Sequence, residues 1–251
     1  MHMKNESNEP KLVACYTCER EFNWTRKGYY EVEPEYCDPC YRTQLQNKYQ
    51  DAIVKVRERI LKITPTRFKE TDSKHDDFNV KLWQHVKPWK PTKIIPWLGL
   101  IGATGLSKTR CAYLLLTELA VNRIKPPKEL RENIQLPQIE VINACQFMDL
   151  VTAIYSEYRH KKHNANDVLN RIRHANVLLI DDLGKQRNTP AVSSELFTLL
   201  NYRHEENLTT VWTANINPEE IVSGMTSDFA APLAGRLREC SHIINVTEPK
   251  L

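Results

Sequence analysis

The chain has 251 residues, of which 41% are hydrophobic and 26% are charged, and its formal net charge at pH 7 is +4. This composition is typical of a globular protein with one domain of about 180 to 200 residues and a small additional module. No run reaches the roughly 18 apolar residues of a membrane span, so we expect a cytoplasmic protein without a membrane partner, and the mild positive charge permits nucleic-acid binding without arguing for it.

Four of the seven cysteines lie within the first 40 residues, at Cys15, Cys18, Cys37 and Cys40. Their spacing, C-x2-C-x18-C-x2-C, is typical of a structural zinc site, because two paired knuckles bring four thiolates together around Zn²⁺. The metal would replace a core that so short a segment cannot build. The alternatives are redox-active pairs and free thiols, and DNA, RNA and protein are all open as the target of the module. We therefore predict a zinc-binding module over residues 1–42.

The remaining cysteines are scattered along the chain, and we expect all of them to be ordinary core residues. They are Cys111, Cys145 and Cys240.

After the module, apolar residues recur with a helical period through residues 41–62, at Leu45, Tyr49, Ile53, Val56, Ile60 and Leu61. The pattern predicts a connecting helix with one apolar face. This face either packs on a neighbouring element, which makes the helix a spacer, or receives a partner helix. Pro65 ends the pattern. We expect a linker helix in residues 43–72, a domain boundary near Asp72 and a larger domain over residues 73–251.

The central motif lies between an apolar run, residues 97–101, and a helical pattern that begins at Lys108. A buried strand, a glycine turn and a helix are the context of a phosphate-binding loop, because loop N–H groups and the helix N-terminus then face the phosphates. Lys108 would bind the β- and γ-phosphates of ATP, and the Thr109 hydroxyl would ligate Mg²⁺. The predicted nucleotide-binding residues of this loop are Gly102, Ala103, Thr104, Gly105, Leu106, Ser107, Lys108, Thr109 and Arg110. The alternative is a glycine-rich turn that binds nothing.

Ser107 stands where the G-x-x-x-x-G-K-[ST] template has its second glycine. One residue before a helix we expect a negative, helical φ, which serine adopts at modest cost. A positive φ at this position would instead strain the serine and damage the nucleotide site.

A second buried strand is predicted over residues 140–144, followed by a helix from Gln146 to about Tyr158. We expect this helix to end in the densest basic run of the chain, Arg159-His160-Lys161-Lys162-His163. Two interpretations stay open. The cations complement the dipole at a solvated helix end, or they form a loop that contacts phosphates, with DNA as the expected target.

Two carboxylates, Asp181 and Asp182, follow a run of four apolar residues at positions 177–180. Such a run predicts a strand covered on both faces, and parallel sheets bind their ligands at the carboxyl ends of strands. Asp181 would hold Mg²⁺ through water, and Asp182 would orient or deprotonate the attacking water. The alternative is an ordinary strand end capped by acids, which the phosphate-binding loop upstream disfavours.

The remaining elements are a helix over residues 193–201, a buried strand over residues 209–215, a short helix over residues 232–239 and a last strand over residues 242–246. Asn215 would hydrogen-bond the attacking water or the γ-phosphate, although asparagine at a strand end is also ordinary turn chemistry. Arg236 and Arg238 are either surface ion-pair partners or, in an oligomer, a source of a cation for a neighbour's γ-phosphate.

Together these segments resemble the DnaC-type helicase loaders and the IstB-type transposition helper ATPases, both AAA+ proteins. The resemblance covers roughly residues 63–246 and is most specific in TPTRF at residues 64–68, LLIDDLGK at residues 178–185 and ELFTLLNYR at residues 195–203. The segment Arg236-Leu237-Arg238 also fits.

The resemblance implies an α/β AAA+ P-loop core with a five-stranded parallel sheet of order 5-1-4-3-2, flanked by helices, in which the Asn215 strand lies between the P-loop and Asp181 strands. It also implies a homo-oligomer that binds ATP and Mg²⁺ at subunit interfaces and engages single-stranded DNA. By position, the loop matches Walker A, Asp181 and Asp182 match Walker B, Asn215 matches sensor 1 and Arg236 matches the arginine finger.

Three functional hypotheses follow. The first is an ATP-dependent helicase loader, with a phage or other mobile element as a fitting origin, whose zinc module binds a DnaB-type replicative helicase while the core holds single-stranded DNA. The second is a transposition helper ATPase that acts on duplex DNA. The third is a nucleotide-switched adaptor that hydrolyses ATP weakly because of Ser107.

Overall fold

The computed structural model describes residues 10–25, 34–69, 78–155 and 158–246. It contains two compact units, one built from Met1–Val54 with Ile124–Gln135 and the other from Lys55–Arg123 with Leu136–Leu251. The domain boundary expected near Asp72 lies outside the described residues. None of the helices in the described segments combines the length and the apolar character needed to cross a membrane.

The smaller unit contains a short antiparallel pair of strands, β1 (Lys11–Ala14) and β2 (Glu21–Trp24), in which Val13 lies opposite Phe22. Helix α1 (Asp38–Ile63) begins in this unit. The helix predicted over residues 41–62 is therefore confirmed.

One stripe of α1 is buried, since Ala52, Val56 and Ile60 are four residues apart and shielded from solvent. This burial favours the spacer interpretation of the helix over the partner-helix surface. The helix ends where the Thr64 hydroxyl donates to the Ile60 carbonyl at 2.7 Å and Pro65 follows, because proline cannot continue the hydrogen-bond ladder.

The larger unit alternates strands with helices. Its elements are α2 (Thr66–Lys69), α3 (Val80–Val86), β3 (Trp97–Gly102), α4 (Lys108–Val121), β4 (Ile139–Asn143), α5 (Ala144–Ile154), α6 (Arg159–His174), β5 (Val177–Leu183), α7 (Pro190–Glu205), β6 (Thr209–Ala214), α8 (Pro218–Ile221), α9 (Ser227–Glu239) and β7 (Ser241–Val246).

All neighbouring strands of the larger unit are parallel, and they form one five-stranded sheet of order β4-β5-β6-β3-β7. Numbered within the sheet and taken from the β7 edge, this is the expected order 5-1-4-3-2. Strand β6 lies between β3 and β5, also as expected. Because the strands are parallel, the residues after β3, β5 and β6 meet at one edge of the sheet.

The central strands are shielded on both faces, which explains their unbroken apolar runs. Trp97, Leu98 and Leu100 on β3 are fully buried, as is Trp212 on β6. Gly99 is required at its position because a Cβ there would collide with the indole ring of Trp212. Close contact between β3 and β6 therefore depends on this glycine.

The basic run does not end a helix, contrary to expectation. Helix α5 stops at Ile154, and the run opens a separate helix, α6, at Arg159. The interpretation that its cations complement a C-terminal dipole is wrong, since the N-terminus of a helix carries the positive end. Sequence periodicity missed α6 because most of its surface is solvated; its buried residues include Ala165, Leu169 and Ile172.

The expectation for the three isolated cysteines is correct at two positions. Cys111 and Cys240 are buried, but Cys145 is exposed. Cys145 lies in the first turn of α5, within a capping box in which Asn143 and Gln146 accept from each other's backbone N–H groups. This entry to the helix directs Cys145 away from the core.

Candidate functional site

A cavity of about 530 Å³ lies at the carboxyl edge of the sheet. It is lined by Arg67, Phe68, Thr104, Gly105, Leu106, Ser107, Lys108, Thr109, Arg110, Asp181, Asp182, Lys185 and Asn215. The structure thus brings together most of the loop, the twin aspartates and the asparagine that the sequence analysis selected. Gly102 and Ala103 are not among the lining residues, but their carbonyl groups accept hydrogen bonds from Lys108, which is.

Lys108 is the first residue of α4 and is only 6% exposed. Its ammonium donates to the carbonyl oxygens of Gly102 and Ala103, each at 2.7 Å. Burial lowers the pKa of Lys108, and the charge of Asp182 opposes that shift. An ammonium carries three donors, so a phosphate oxygen can be a third partner of this side chain.

Thr109 and Asp181, both assigned to Mg²⁺ from the sequence, are in direct contact. The Thr109 hydroxyl donates to Asp181 Oδ1 at 2.8 Å. Burial raises the pKa of Asp181, while hydrogen bonds from Thr213 and Thr109 act in the opposite direction. A hydroxyl and a carboxylate are oxygen ligands of the kind that Mg²⁺ prefers, so the pair fits the ion.

Asp182 lies in an irregular part of β5. The register between β5 and β6 shifts between Ile180 and Leu183, and Asp182 has a φ of 59°. Its carboxylate forms an ion pair with Lys185 Nζ at 2.8 Å. Lys185 was not predicted as a site residue, although its position three residues after Asp182 was an available signal.

Asn215 connects the end of β6 to the phosphate-binding loop. Its Nδ2 donates to Thr104 Oγ1 at 3.2 Å. The amide therefore lies at the cavity wall, between the loop and the β6 strand.

Ser107 has a φ of 62° and a ψ of 16°, so the expected negative φ is wrong. Its carbonyl accepts a hydrogen bond from the Cys111 N–H at 2.9 Å, as in the first turn of a helix. The chain therefore changes from loop to helix at Ser107 itself. The left-handed conformation is the one that glycine would supply without strain, and it costs a serine about 1–2 kcal/mol.

Arg67 and Phe68 belong to the TPTRF segment that resembles the family, but the sequence predicts no role for them in the site. The Phe68 ring stacks on Tyr113, with centroids 5.7 Å apart and an angle of 28° between the planes. Arg67 lies over the same ring, with its Cζ 4.7 Å from the centroid. Arg67 and Phe68 line the cavity, so its wall at this point is aromatic and cationic.

Comparison with known proteins shows the family to which this architecture belongs. The family model for the bacterial DnaA ATPase domain matches residues 83–235, which is more than half of the chain. The chain belongs to this family.

Solved structures that resemble this one share little sequence with it. A crystal structure of DnaI is 22% identical with a TM-score of 0.50, over 76% of this chain and 94% of that one. The DnaC helicase loader is 16% identical with a TM-score of 0.51, over 73% and 100%. AMPPCP-bound DnaA from Aquifex aeolicus is 13% identical with a TM-score of 0.49, over 67% of this chain and 45% of its own length. No curated protein matches the sequence.

Arg236 is not among the residues that line the cavity of its own chain. It lies on α9, with its Cζ 4.8 Å from the centroid of the Phe197 ring. Its Nη1 is buried and has no hydrogen-bond partner among the described residues. The role of this arginine at a neighbouring subunit stays a prediction.

The four N-terminal cysteines converge as their spacing predicts. Their sulfur atoms all lie within 4.8 Å of one another, and Cys18 Sγ is 3.7 Å from Cys37 Sγ. Tetrahedral zinc with Zn–S bonds of about 2.3 Å holds its sulfurs about 3.8 Å apart, so the cluster has the dimensions of a Cys₄ zinc site.

The pKa values of two thiols in the cluster, Cys15 and Cys40, shift in opposite directions. Burial opposes ionisation of Cys15, but backbone hydrogen bonds from Cys37, Cys18 and Thr17 outweigh it and lower the pKa to about 6. Hydrogen bonds with Cys37 and Cys18, together with burial, raise the pKa of Cys40 to about 12. Of these two thiols, Cys15 therefore ionises more readily, and the thiolate is the form of cysteine that binds a metal.

Proposed function

We propose that this protein binds and hydrolyses ATP and acts in DNA replication in the manner of a helicase loader. The observation that carries the proposal is the 2.8 Å hydrogen bond between Thr109 of the loop and Asp181 of β5. It joins the predicted phosphate-binding loop to the strand end that carries the twin aspartates, in one cavity that Lys108 and Asp182 also line.

The residues of the cavity divide the chemistry among them. Loop N–H groups and the Lys108 ammonium would hold the phosphates. Thr109 and Asp181 would hold Mg²⁺, which when bound offsets the charge of the β- and γ-phosphates.

Asp182 would act on the nucleophile. Its carboxylate would accept a proton from the attacking water, whose oxygen bonds to the γ-phosphorus as the bond to the β–γ bridging oxygen breaks, releasing ADP and phosphate. Asn215 would orient that water.

The test measures ATP binding by calorimetry, and ATPase activity without DNA, with single strands and with duplex. Wild-type protein should bind and hydrolyse ATP, and Lys108→Ala should lose binding. Absence of binding heat for the wild type would refute the nucleotide site.

The loader assignment is supported by membership of the DnaA ATPase domain family and by the fold shared with the DnaC helicase loader. We propose that the four-cysteine module holds Zn²⁺ and binds a DnaB-type helicase. The full chain should capture that helicase in a pull-down, and Cys18→Ser should lose capture while keeping ATPase activity. Absence of capture by the intact protein would refute the assignment, and filaments on duplex DNA would favour the transposition helper.

We propose that single-stranded DNA binds the basic run together with the neighbouring tyrosines Tyr155 and Tyr158. Tyr155 and Tyr158 are 65% and 63% exposed, and Lys161 Nζ lies 4.9 Å from the centroid of the Tyr158 ring. Cations at the start of a helix oppose its dipole, so an anionic ligand accounts for the basic run better than folding does. Exposed aromatic and basic side chains together suit stacked bases and phosphates.

The DNA proposal is tested by replacing Lys161 and Lys162 with alanine. Affinity for single strands should fall and its dependence on salt should become shallower, because fewer counterions are released. Lys62→Ala, an exposed lysine in the last turn of α1, is the control. Equal losses of DNA affinity in the double-alanine protein and in Lys62→Ala would exclude a specific contribution of the basic run.

ATP at subunit interfaces of a homo-oligomer is also proposed, with Arg236 as the residue that acts on the neighbour. Arg236→Ala should keep ATP binding and lose turnover by about 10³-fold, the typical contribution of an arginine finger. Turnover that is independent of protein concentration and of Arg236 would contradict this arrangement.

A weakly hydrolysing, nucleotide-switched adaptor is the second candidate function. The observation that favours it is the left-handed Ser107 in the phosphate-binding loop. ATP binding without measurable turnover, even with DNA, would select it.

A further inference from the structure

Thr213 is a buried residue of β6 that the nucleotide chemistry described so far does not use. It is fully shielded from solvent and lies two residues before Asn215. Its hydroxyl is in contact with both aspartates of the neighbouring strand β5.

The single hydroxyl makes two directed hydrogen bonds. It donates to Asp181 Oδ1 at 2.6 Å and accepts from the backbone N–H of Asp182 at 2.9 Å. A hydroxyl has one proton to donate, and here that proton goes to the carboxylate oxygen that also receives the Thr109 hydroxyl.

The second bond explains why a hydroxyl is needed at this position. The register of β5 against β6 shifts between Ile180 and Leu183, and Asp182 takes a left-handed φ of 59°. Such a bulge removes a backbone N–H from the regular ladder. The side chain of Thr213 supplies the missing acceptor and so stabilises the conformation that directs two successive carboxylates to the cavity.

We propose that Thr213 is a positioning residue for the Mg²⁺-dependent step, because its hydroxyl fixes the orientation of Asp181 and the bulge at Asp182. The inference rests on the proposed ATPase function. It assigns Thr213 no contact with nucleotide and no proton transfer, so its effect must appear through the two aspartates.

The chain offers a matched control on the same strand. Thr210 is equally buried, and its hydroxyl accepts from Arg203 Nε at 2.9 Å, away from the cavity. Thr210→Val and Thr213→Val are therefore the same chemical change in one strand, but only the second touches the aspartates.

The experiment measures three quantities for each protein: nucleotide affinity without Mg²⁺, the Mg²⁺ concentration for half-maximal turnover, and kcat. Thr213→Val should leave Mg²⁺-free affinity within about twofold and raise the half-saturating Mg²⁺ concentration by about 10-fold or more, as loss of groups that orient metal ligands typically does. Its kcat should fall as well. Thr213→Ser should recover most of both properties, whereas Thr210→Val should lose thermal stability and keep the wild-type Mg²⁺ dependence.

A Thr213→Val protein with wild-type Mg²⁺ dependence and kcat would overturn the inference, and so would Thr210→Val with the same Mg²⁺ defect. If Thr213→Val does not fold, Thr213→Ala removes the same hydroxyl without adding bulk. Unfolding of both would overturn the inference in favour of a purely structural role. Failure of the proposed ATPase function has a different signature, namely wild-type protein that neither binds nor hydrolyses ATP.

Discussion

The four-cysteine cluster and the nucleotide cavity are both built around short motifs, but they are assembled differently. The cysteine pairs are held by local contacts, such as Cys15 N–H to the Arg20 carbonyl and Tyr41 N–H to the Cys37 carbonyl. The cavity instead joins the ends of three parallel strands to the start of α4. We predict that the first region depends on a metal ion for its stability and the second on the sheet, so perturbation should affect the two regions differently.

The largest expected effect is metal removal from the cluster. A two-stranded sheet cannot bury enough apolar surface to be stable alone, and structural zinc contributes apparent free energies of about 10 kcal/mol in small domains. A strong chelator should release one Zn²⁺ per chain and make residues 10–54 sensitive to protease, while the sheet of the larger unit persists by circular dichroism.

Cys37→Ser should reproduce the effect of the chelator without any chelator present. Cys145→Ser is the matched control, since Cys145 is exposed and outside the cluster. Protein that carries no metal and resists protease equally with and without chelator would contradict the cluster's proposed role.

Replacement of the proposed base should have the next largest effect. Asp182→Asn removes proton acceptance and keeps the shape of the side chain, so kcat should fall by about 10²-fold or more. ATP affinity, measured by calorimetry, and the midpoint of thermal unfolding should change little. Metal removal, by contrast, should destabilise part of the chain. Asp167→Asn, an exposed carboxylate on α6, is the control, and unchanged turnover in Asp182→Asn would remove Asp182 from the mechanism.

A smaller effect is expected at Lys185, whose ion pair with Asp182 is partly exposed. Exposed ion pairs contribute about 0.2–1 kcal/mol, so Lys185→Ala should lower kcat by about twofold to fivefold. Lys185→Arg keeps the charge and should retain most of the activity. If both substitutions lower kcat equally, the ammonium has a role beyond holding the carboxylate.

The smallest effect is expected at Ser107. Glycine relieves a left-handed strain of about 1–2 kcal/mol but adds about 0.5–1 kcal/mol of unfolded-chain entropy. At the midpoints of these ranges Ser107→Gly should therefore raise the free energy of unfolding by about 0.75 kcal/mol, measured with urea, and it should raise ATP affinity. Ser107→Ala should show no such gain, and a loss of affinity in Ser107→Gly would mean that the hydroxyl binds phosphate.

Strand positions were predictable because a parallel strand covered on both faces must be apolar throughout, as in the run before Asp181. Helix α6 was not predictable to the same degree, since its few buried residues are separated by charged and amide side chains. The boundary between α5 and α6 was missed for the same reason, and with it the position of the basic run at a helix start.

The residues of the site likewise divide into those that the sequence predicts and those that only the folded chain reveals. Lys108 and Thr109 follow from a spacing rule because consecutive backbone N–H groups and a helix start can be encoded locally. Phe68 and Thr213 follow no such rule, because each acts across a distance in sequence, on Tyr113 and on Asp181, that only the folded chain closes.

The amino-acid sequence by itself determined the cysteine framework, the phosphate-binding loop and the twin aspartates, because these depend on local spacing and on uninterrupted apolar runs. The order of the strands was implied by the family resemblance. Only the tertiary structure decided the left-handed φ of Ser107, the bulge at Asp182 and the contacts of Thr213. Backbone strain and hydrogen bonds between strands depend on which segments become neighbours, and that information is absent from any short window of sequence.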